Sequence, residues 1–368
     1  MAAAADYYVD PGSGSDITGT GTSGNPWASL QHALDTISKG SHGDQINLKA
    51  GTADTLSADL SLSTYGNPSY LAPLIIRGYT SSADDGGIGE IDLNGANNIA
   101  FSGVSRSGVI LKDLEIHGST DTVGVSIPKW STVDNVYFHD MSNTALGIYE
   151  NTLVCCSRFE DIGTYGVQTE GADGEHGNII GNYFANGTKD FTAAIYCDNY
   201  SLTACRNIIY IDGTSDGIVV KFFGEVCHNS ILSDGGSGQG IRCDTSGESL
   251  RIWSNLIEGF STSGGIGIDY NSADQQMVVN NSAYNNLTDY GTAALHVSDD
   301  NESLGSSPFA KSGSATYANR FTYFSPNDVG NVRGGAYGNS TLDRGAVQHE
   351  ATGGGGGNKV TRFIMGAM

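Results

Sequence analysis

Lys221 ends the apolar run "DGIVVK" at residues 216–221. A lysine amine abstracts a proton from carbon only if its pKa falls toward neutrality, and the carbanion then needs positive charge beside it. Asp198 and Asp244 each stand 23 residues from Lys221, and Arg242 lies just before the second. In one arrangement Lys221 and Arg242 are the catalytic pair, and Asp198 and Asp244 hold a calcium ion through their carboxylates. In the other, two carboxylates flank a lysine and keep it protonated, which makes it a poorer base. The second, a charge ladder, is the expected one.

Either arrangement requires that residues far apart in sequence lie side by side. A small-then-apolar pair recurs in "GVSI" at 124, "GIYE" at 147, "GVQT" at 166, "AIYC" at 194, "GIVV" at 217, "GIRC" at 240 and "GIDY" at 267. A polar column recurs beside it: Asp113, Asn135, Ser157, Asn182, Asn207, Asn229, Asn255 and Asn281, in steps of 22, 22, 25, 25, 22, 26 and 26 residues. Two independent columns with one period, and short strands split by Gly, Asn and Asp, predict a β-solenoid with three strands per turn. Leucine-rich repeats share the period, but their leucine framework is absent. Coils of a solenoid stack about 4.8 Å apart, so like residues lie on one another. An Asn column then becomes a ladder, each amide donating to one neighbour and accepting from the other.

Alternation assigns the faces. Leu111, Val133, Cys155, Ile180, Cys205, Cys227, Trp253 and Val279, two residues before the polar column, are expected to point inward. Cys197, Val220 and Cys243 form a second buried stack. Most of the six cysteines then behave as small hydrophobes, and Cys205 and Cys227 stack closely enough to bridge if the geometry allows. No CxxC pair exists, which argues against zinc. His117, His139, His176 and His228 are read as lying in different columns, which argues against a histidine metal site. An open coil exposes strand edges. In "NPWASLQHALDTISK", residues 25–39, Trp27, Leu30, Ala33, Leu34 and Ile37 recur at helical spacing and predict the helix that covers the first coil.

Composition limits the partners. Among 368 residues, 18 Lys+Arg face 40 Asp+Glu, a net charge of -22. Such a chain repels nucleic-acid phosphates and anionic membranes, and acidic polysaccharides unless a cation bridges them. No run of 18 apolar residues exists, so no membrane span is expected. "MAAAADYYVD" has no basic segment followed by a long apolar one, so no signal peptide is visible.

The opening "YYVDPGSGSDITGTGTSGNPWASLQHALDTI", then "DQINLKAGT", and the late "LDRGAVQ" are similar to the opening and closing modules of the right-handed parallel β-helix superfamily that includes pectate lyases. The resemblance covers residues 6–350 and implies an all-β, single-stranded right-handed parallel β-helix. The superfamily holds lyases, hydrolases, phage tailspikes and non-enzymatic proteins, so activity does not follow from it. It implies that ligands lie along the outer face of the "GIxI" strands. The outward residues there are read as Ser126, Tyr149, Gln168, Tyr196, Val219, Arg242 and Asp269, followed by Glu150, Glu170, Asp198, Lys221, Asp244 and Asn271. Loops at 169–177 and 184–192 would wall this face. Tyr149, Gln168, Tyr196 and Asp269 are the expected glycan contacts.

The expected organisation is a strand and loop at 1–24, the capping helix at 25–39, coils over 44–287, a closing segment at 288–350, a glycine linker at 351–357 and an apolar tail at 358–368. Val360, Phe363, Ile364 and Met365 of the tail would dock on a larger assembly. The resulting expectation is a virion- or surface-associated protein of tailspike or decoration type, extracellular or on a particle, with a glycan-binding face and, by analogy with tailspikes, three chains. The enzymatic alternative is a calcium-dependent lyase acting on uronic-acid polymers, with Lys221 and Arg242 at its centre.

Overall fold

In the computed structural model, residues one repeat apart pair in parallel register. Val125, Leu146, Val167, Ile195, Ile218, Ile241 and Ile268 follow one another rung by rung, and none has exposed surface. They belong to a ten-stranded parallel sheet running from Leu60–Ser61 to Thr288–Tyr290. The other parallel strands form two further rows, represented by Ser201–Cys205 and Ile208–Ile211. These rows merge where Val109–Ser119 and Thr132–Met141 run through both. The molecule is therefore an all-β parallel solenoid. The structure describes residues 5–310, apart from 38–42, 63–67, 102–106, 171–175, 199–200, 212, 222–223, 245–249, 271–275, 292–296, 300–301 and 304–308, and then residues 325–326. Rung pairing continues through Val297–Asp299 and Glu302–Ser303. The tail residues Val360, Phe363, Ile364 and Met365 lie outside the described residues.

The interior is built of stacked like side chains. Phe138, Phe159 and Phe184 overlie one another with ring centroids 4.8 and 4.7 Å apart. Isoleucines continue this column at 209, 231 and 257. At the turn beside it runs the ladder. Asn182 donates to Asn207, Asn207 to Asn229, Asn229 to Asn255 and Asn255 to Asn281, each through Nδ2 to Oδ1 at 3.0–3.1 Å.

Register corrects two expectations. Val133 pairs with Val154, so the buried column is Leu111, Val133, Val154, Ile179, Ala204, Val226, Ile252 and Val278. Cys155, Ile180, Cys205, Cys227 and Trp253 stand one residue further on, opposite Asp134, and face outward. On that outer side Cys205 and Cys227 are joined by a disulfide across adjacent rungs. Asp113 and Asn135 likewise leave the ladder column, where the apolar Leu114 and Val136 stand in the Val109–Ser119 and Thr132–Met141 strands. They fall instead in a column of left-handed residues, with φ of 53° and 55°, that continues through Cys156, Gly181, Arg206, His228, Ser254 and Asn280.

The cap is the seven-residue helix α1, Leu30–Thr36. Ser29 is its N-cap and accepts from His32 N–H at 3.2 Å. Leu30, Ala33 and Leu34 turn onto the first coil with no exposed surface. Buried Asp54 accepts from Leu30 N–H at 2.8 Å, which ties the helix start to the Asp54–Thr55 strand.

Candidate functional site

The outer face of the ten-stranded sheet takes its pattern from the small residue, glycine or, at Ala145 and Ala194, alanine, that precedes each inward aliphatic residue. A Cβ on Gly217 would lie 2.4 Å from the Gly240 carbonyl oxygen, and one on Gly240 would lie 2.5 Å from that of Gly267. Glycine at these two positions allows the coils to approach, and it places two consecutive residues against the core. Outward side chains consequently occur three apart at the strand start, as with Tyr165 and Gln168 or Asp216 and Val219, and two apart beyond it.

Three outward columns result. The middle one is Ser126, Gly147, Gln168, Tyr196, Val219, Arg242 and Asp269. Gly147, and not Tyr149, occupies the expected position between Ser126 and Gln168. Tyr149 belongs to the next column with Glu170, Asp198, Lys221 and Asp244, while Glu150 pairs with Lys129 at 3.5 Å in the turn. Asn271 lies outside the described residues, as does most of the 169–177 loop.

The gap above Gly147 is filled by a carboxyl group. The Glu170 carboxylate lies where a Gly147 side chain would be, within 2.5 Å of a built Cβ. It accepts from Ser126 Oγ at 3.1 Å and from Tyr149. Burial pushes its pKa above the ordinary carboxylate range, and these two hydrogen bonds oppose the shift without cancelling it. Glu170 is therefore a half-buried acid on the outer face that holds its proton more tightly than an exposed carboxyl does. Gln168 accepts from Thr144 Oγ1 at 3.2 Å on the adjacent rung.

Next along the face, Tyr165 and Tyr196 stack with centroids 4.3 Å apart and 8° between their planes. Lys221 Nζ lies 5.0 Å from the Tyr196 centroid and 2.9 Å from Asp198 Oδ1. Hydrogen bonding to Tyr196 and Asp198 holds the lysine well above its ordinary pKa. Lys221 is thus a fixed cation and a poor proton acceptor. Arg242 bonds to Asp216 and, through Nε, to Asp244 Oδ2 at 3.0 Å. Burial raises the Asp216 pKa despite that arginine. Asp269 accepts from Gln239 Nε2 at 2.9 Å, and burial raises its pKa as well.

Structure thus brings Lys221, Arg242, Asp198 and Asp244 together, as two salt-bridged groups on successive rungs. Among the described residues, neither Asp198 nor Asp244 belongs to a set of three donors close enough to share an ion. Tyr165 was not among the expected contacts, because strict alternation turns it inward. Tyr70 and Trp130 were missed too. They are 61% and 48% exposed with centroids 5.6 Å apart, at the corner where the Val123–Ile127 strand ends. Trp130 has a left-handed backbone, with φ of 58°, which is uncommon for a bulky residue.

No family model matches the chain, and no curated protein matches it. Solved structures to which it is similar include pectate lyase Pel9A, at 15% identity over 95% of this chain and 98% of that one, with a TM-score of 0.49. Others are the GH136 lacto-N-biosidase from Eubacterium ramulus (15% identity, 81% and 67% covered, TM-score 0.45) and a rhamnogalacturonan lyase (13%, 76% and 74%, 0.44). The solenoid rests on its own strand pairing. No helix among the described residues is long and apolar enough to cross a membrane.

Proposed function

We propose that this chain binds an extended polysaccharide along the outer face of the ten-stranded sheet. The observation that carries the reading is the stacked Tyr165–Tyr196 pair beside fixed polar groups on consecutive rungs, with the Tyr70–Trp130 pair at the corner. From the Val123–Ile127 strand to the Ile266–Tyr270 strand the face is roughly 29 Å long at normal rung spacing, enough for several sugar rings. Aromatic faces pack against sugar C–H groups, and the flanking carboxylates and amides bond to hydroxyls. Two cations, Lys221 and Arg242, are set among five carboxylates, Glu170, Asp198, Asp216, Asp244 and Asp269. That balance favours a neutral polymer over a polyuronate. Tyr196→Ala is expected to weaken binding about tenfold in affinity electrophoresis with a panel of neutral and uronic polysaccharides. Binding by no member of the panel, or binding unchanged in both Tyr196→Ala and Trp130→Ala, would sink the proposal.

Glu170 supports a second, catalytic reading. A carboxyl whose pKa burial raises is better suited than an exposed one to donate a proton to a glycosidic oxygen. Lys221, stabilised as a cation, serves in this reading to position hydroxyls and not as the base of an elimination. Glu170→Gln should then lower release of reducing ends by about 100-fold or more while leaving binding intact. An unsaturated-uronate absorbance lost in Lys221→Ala would restore the lyase in its place. The particle-bound role rests on the tail at 358–368, and no described residue bears on it.

A further inference from the structure

Away from the sugar face, the turn after the Leu153–Cys155 strand gathers two adjacent cysteines and a carboxylate. In an extended chain Cys155 and Cys156 would point to opposite sides. Cys156 instead has φ of 54°, and this left-handed turn brings both sulfurs to one side. The two Sγ atoms and an oxygen of Asp134, which pairs with Cys155 from the preceding rung, all lie within 4.8 Å of one another. The two Asp134 oxygens have different neighbours. Oδ2 is 3.2 Å from Lys112 Nζ, and Oδ1 is 3.7 Å from Cys155 Sγ. Lys112 thereby anchors the carboxylate and leaves Oδ1 turned toward the sulfurs.

We propose that Asp134, Cys155 and Cys156 form a site for a thiophilic divalent cation of the zinc class, with solvent as the fourth ligand. Zinc binds sulfur at about 2.3 Å and carboxylate oxygen at about 2.1 Å, so sulfur and oxygen donors of a tetrahedral site lie about 3.6 Å apart. The Cys155–Asp134 separation already matches that edge. Two thiolates select a borderline-soft ion over calcium or magnesium. Cys155, 4% exposed, is a fixed ligand, and Cys156, on the surface, gives the ion a way in. Binding breaks two S–H bonds and forms two sulfur–metal bonds, and the protons pass to solvent. Cys197 and Cys243 are fully buried, and Cys205 and Cys227 are bridged, so these four cysteines do not compete for the ion. The site carries no linear signature, because its third ligand comes from the coil below.

The test uses the full chain and Cd²⁺, whose bonds to thiolate give an ultraviolet charge-transfer band. The band should saturate at about one equivalent, as expected for a single site, and should reverse on addition of excess Zn²⁺. Cys156→Ser should abolish it with an unchanged circular dichroism spectrum. Asp134→Asn should weaken binding by at least about tenfold, the loss that follows even from removing an outer-shell partner. Absence of the band in the wild-type chain, its persistence in Cys156→Ser, or a Cys155–Cys156 disulfide found by mass mapping would overturn the proposal.

Discussion

Replacing Asn229 with Ala is expected to remove about 4 kcal/mol of stability, a large share of the roughly 5–15 kcal/mol that holds a typical domain folded. The side chain has no exposed surface and makes four hydrogen bonds. Its Oδ1 accepts from the Asn207 backbone N–H at 2.9 Å and from Asn207 Nδ2 at 3.0 Å. Its Nδ2 donates to the Ala204 carbonyl at 2.8 Å and to Asn255 Oδ1 at 3.0 Å. Alanine removes all four bonds at once, each worth about 1 kcal/mol net, and leaves the Asn207 N–H without its acceptor, while Asn207 Nδ2 keeps the Ile179 carbonyl and Asn255 Oδ1 keeps the Asn229 N–H. The comparison is Asn135→Gly, at an exposed position with φ of 55°, where glycine suits the backbone and gives up one bond, from Asn135 Nδ2 to Asp113 Oδ1 at 2.7 Å, so the loss should stay near about 1 kcal/mol. Urea unfolding of the two variants checks both. A loss below about 1 kcal/mol at Asn229 would show that the ladder is decorative.

Asp54→Asn is expected to act in the opposite direction, and only above mildly acidic pH. Burial lifts the Asp54 pKa from 3.8 to about 6; the Leu30 N–H opposes the shift and the charge of Asp16 adds to it. A carboxyl whose pKa is higher when folded binds its proton more tightly in the folded chain. Stability is therefore fully present below about pH 4 and falls as pH rises toward about 6. A shift of about two units corresponds to about 3 kcal/mol, reduced by about 0.3–1 kcal/mol because the charge sits at a helix N-terminus. The amide oxygen can still accept from Leu30 and carries no charge to bury. The variant should gain about 2 kcal/mol over wild type at pH 8 and about nothing at pH 4. An equal difference at both pH values, or a less stable variant at pH 8, would refute the account.

The solenoid and its ladder from Asn182 to Asn281 were legible because one chemical need, a buried amide with a partner above and below, is met by the same residue on each rung. The coils that carry the Val109–Ser119 and Thr132–Met141 strands are harder to read, for a related reason. Leu114 and Val136 hold the ladder position there, and the step from Val136 to Ser157 is a residue shorter than the one assumed. Asp113 and Asn135, polar for a different purpose, therefore stand where a constant period expects ladder members. The left-handed column was invisible because backbone geometry, and not side-chain chemistry, defines it: Cys156, Arg206, His228 and Ser254 have only φ in common. The same slip placed Cys155 and Trp253 inside. His117 and His139 were read as unrelated, yet they pair in register with rings 4.8 Å apart and face Glu90 and Glu115. On the proposed sugar face the charges were found, but Tyr165 was not, because a glycine that lets backbones touch also shifts the outward positions from two apart to three.

The rung-by-rung pairing has a mechanical consequence. A stack in which each layer touches only the layers above and below opens like a zipper, from its ends and one tooth at a time. Amide hydrogens of the central coils around Asn207 should exchange most slowly, with protection declining in steps toward both termini. The helix over the first coil then acts as a stop that limits fraying from that end.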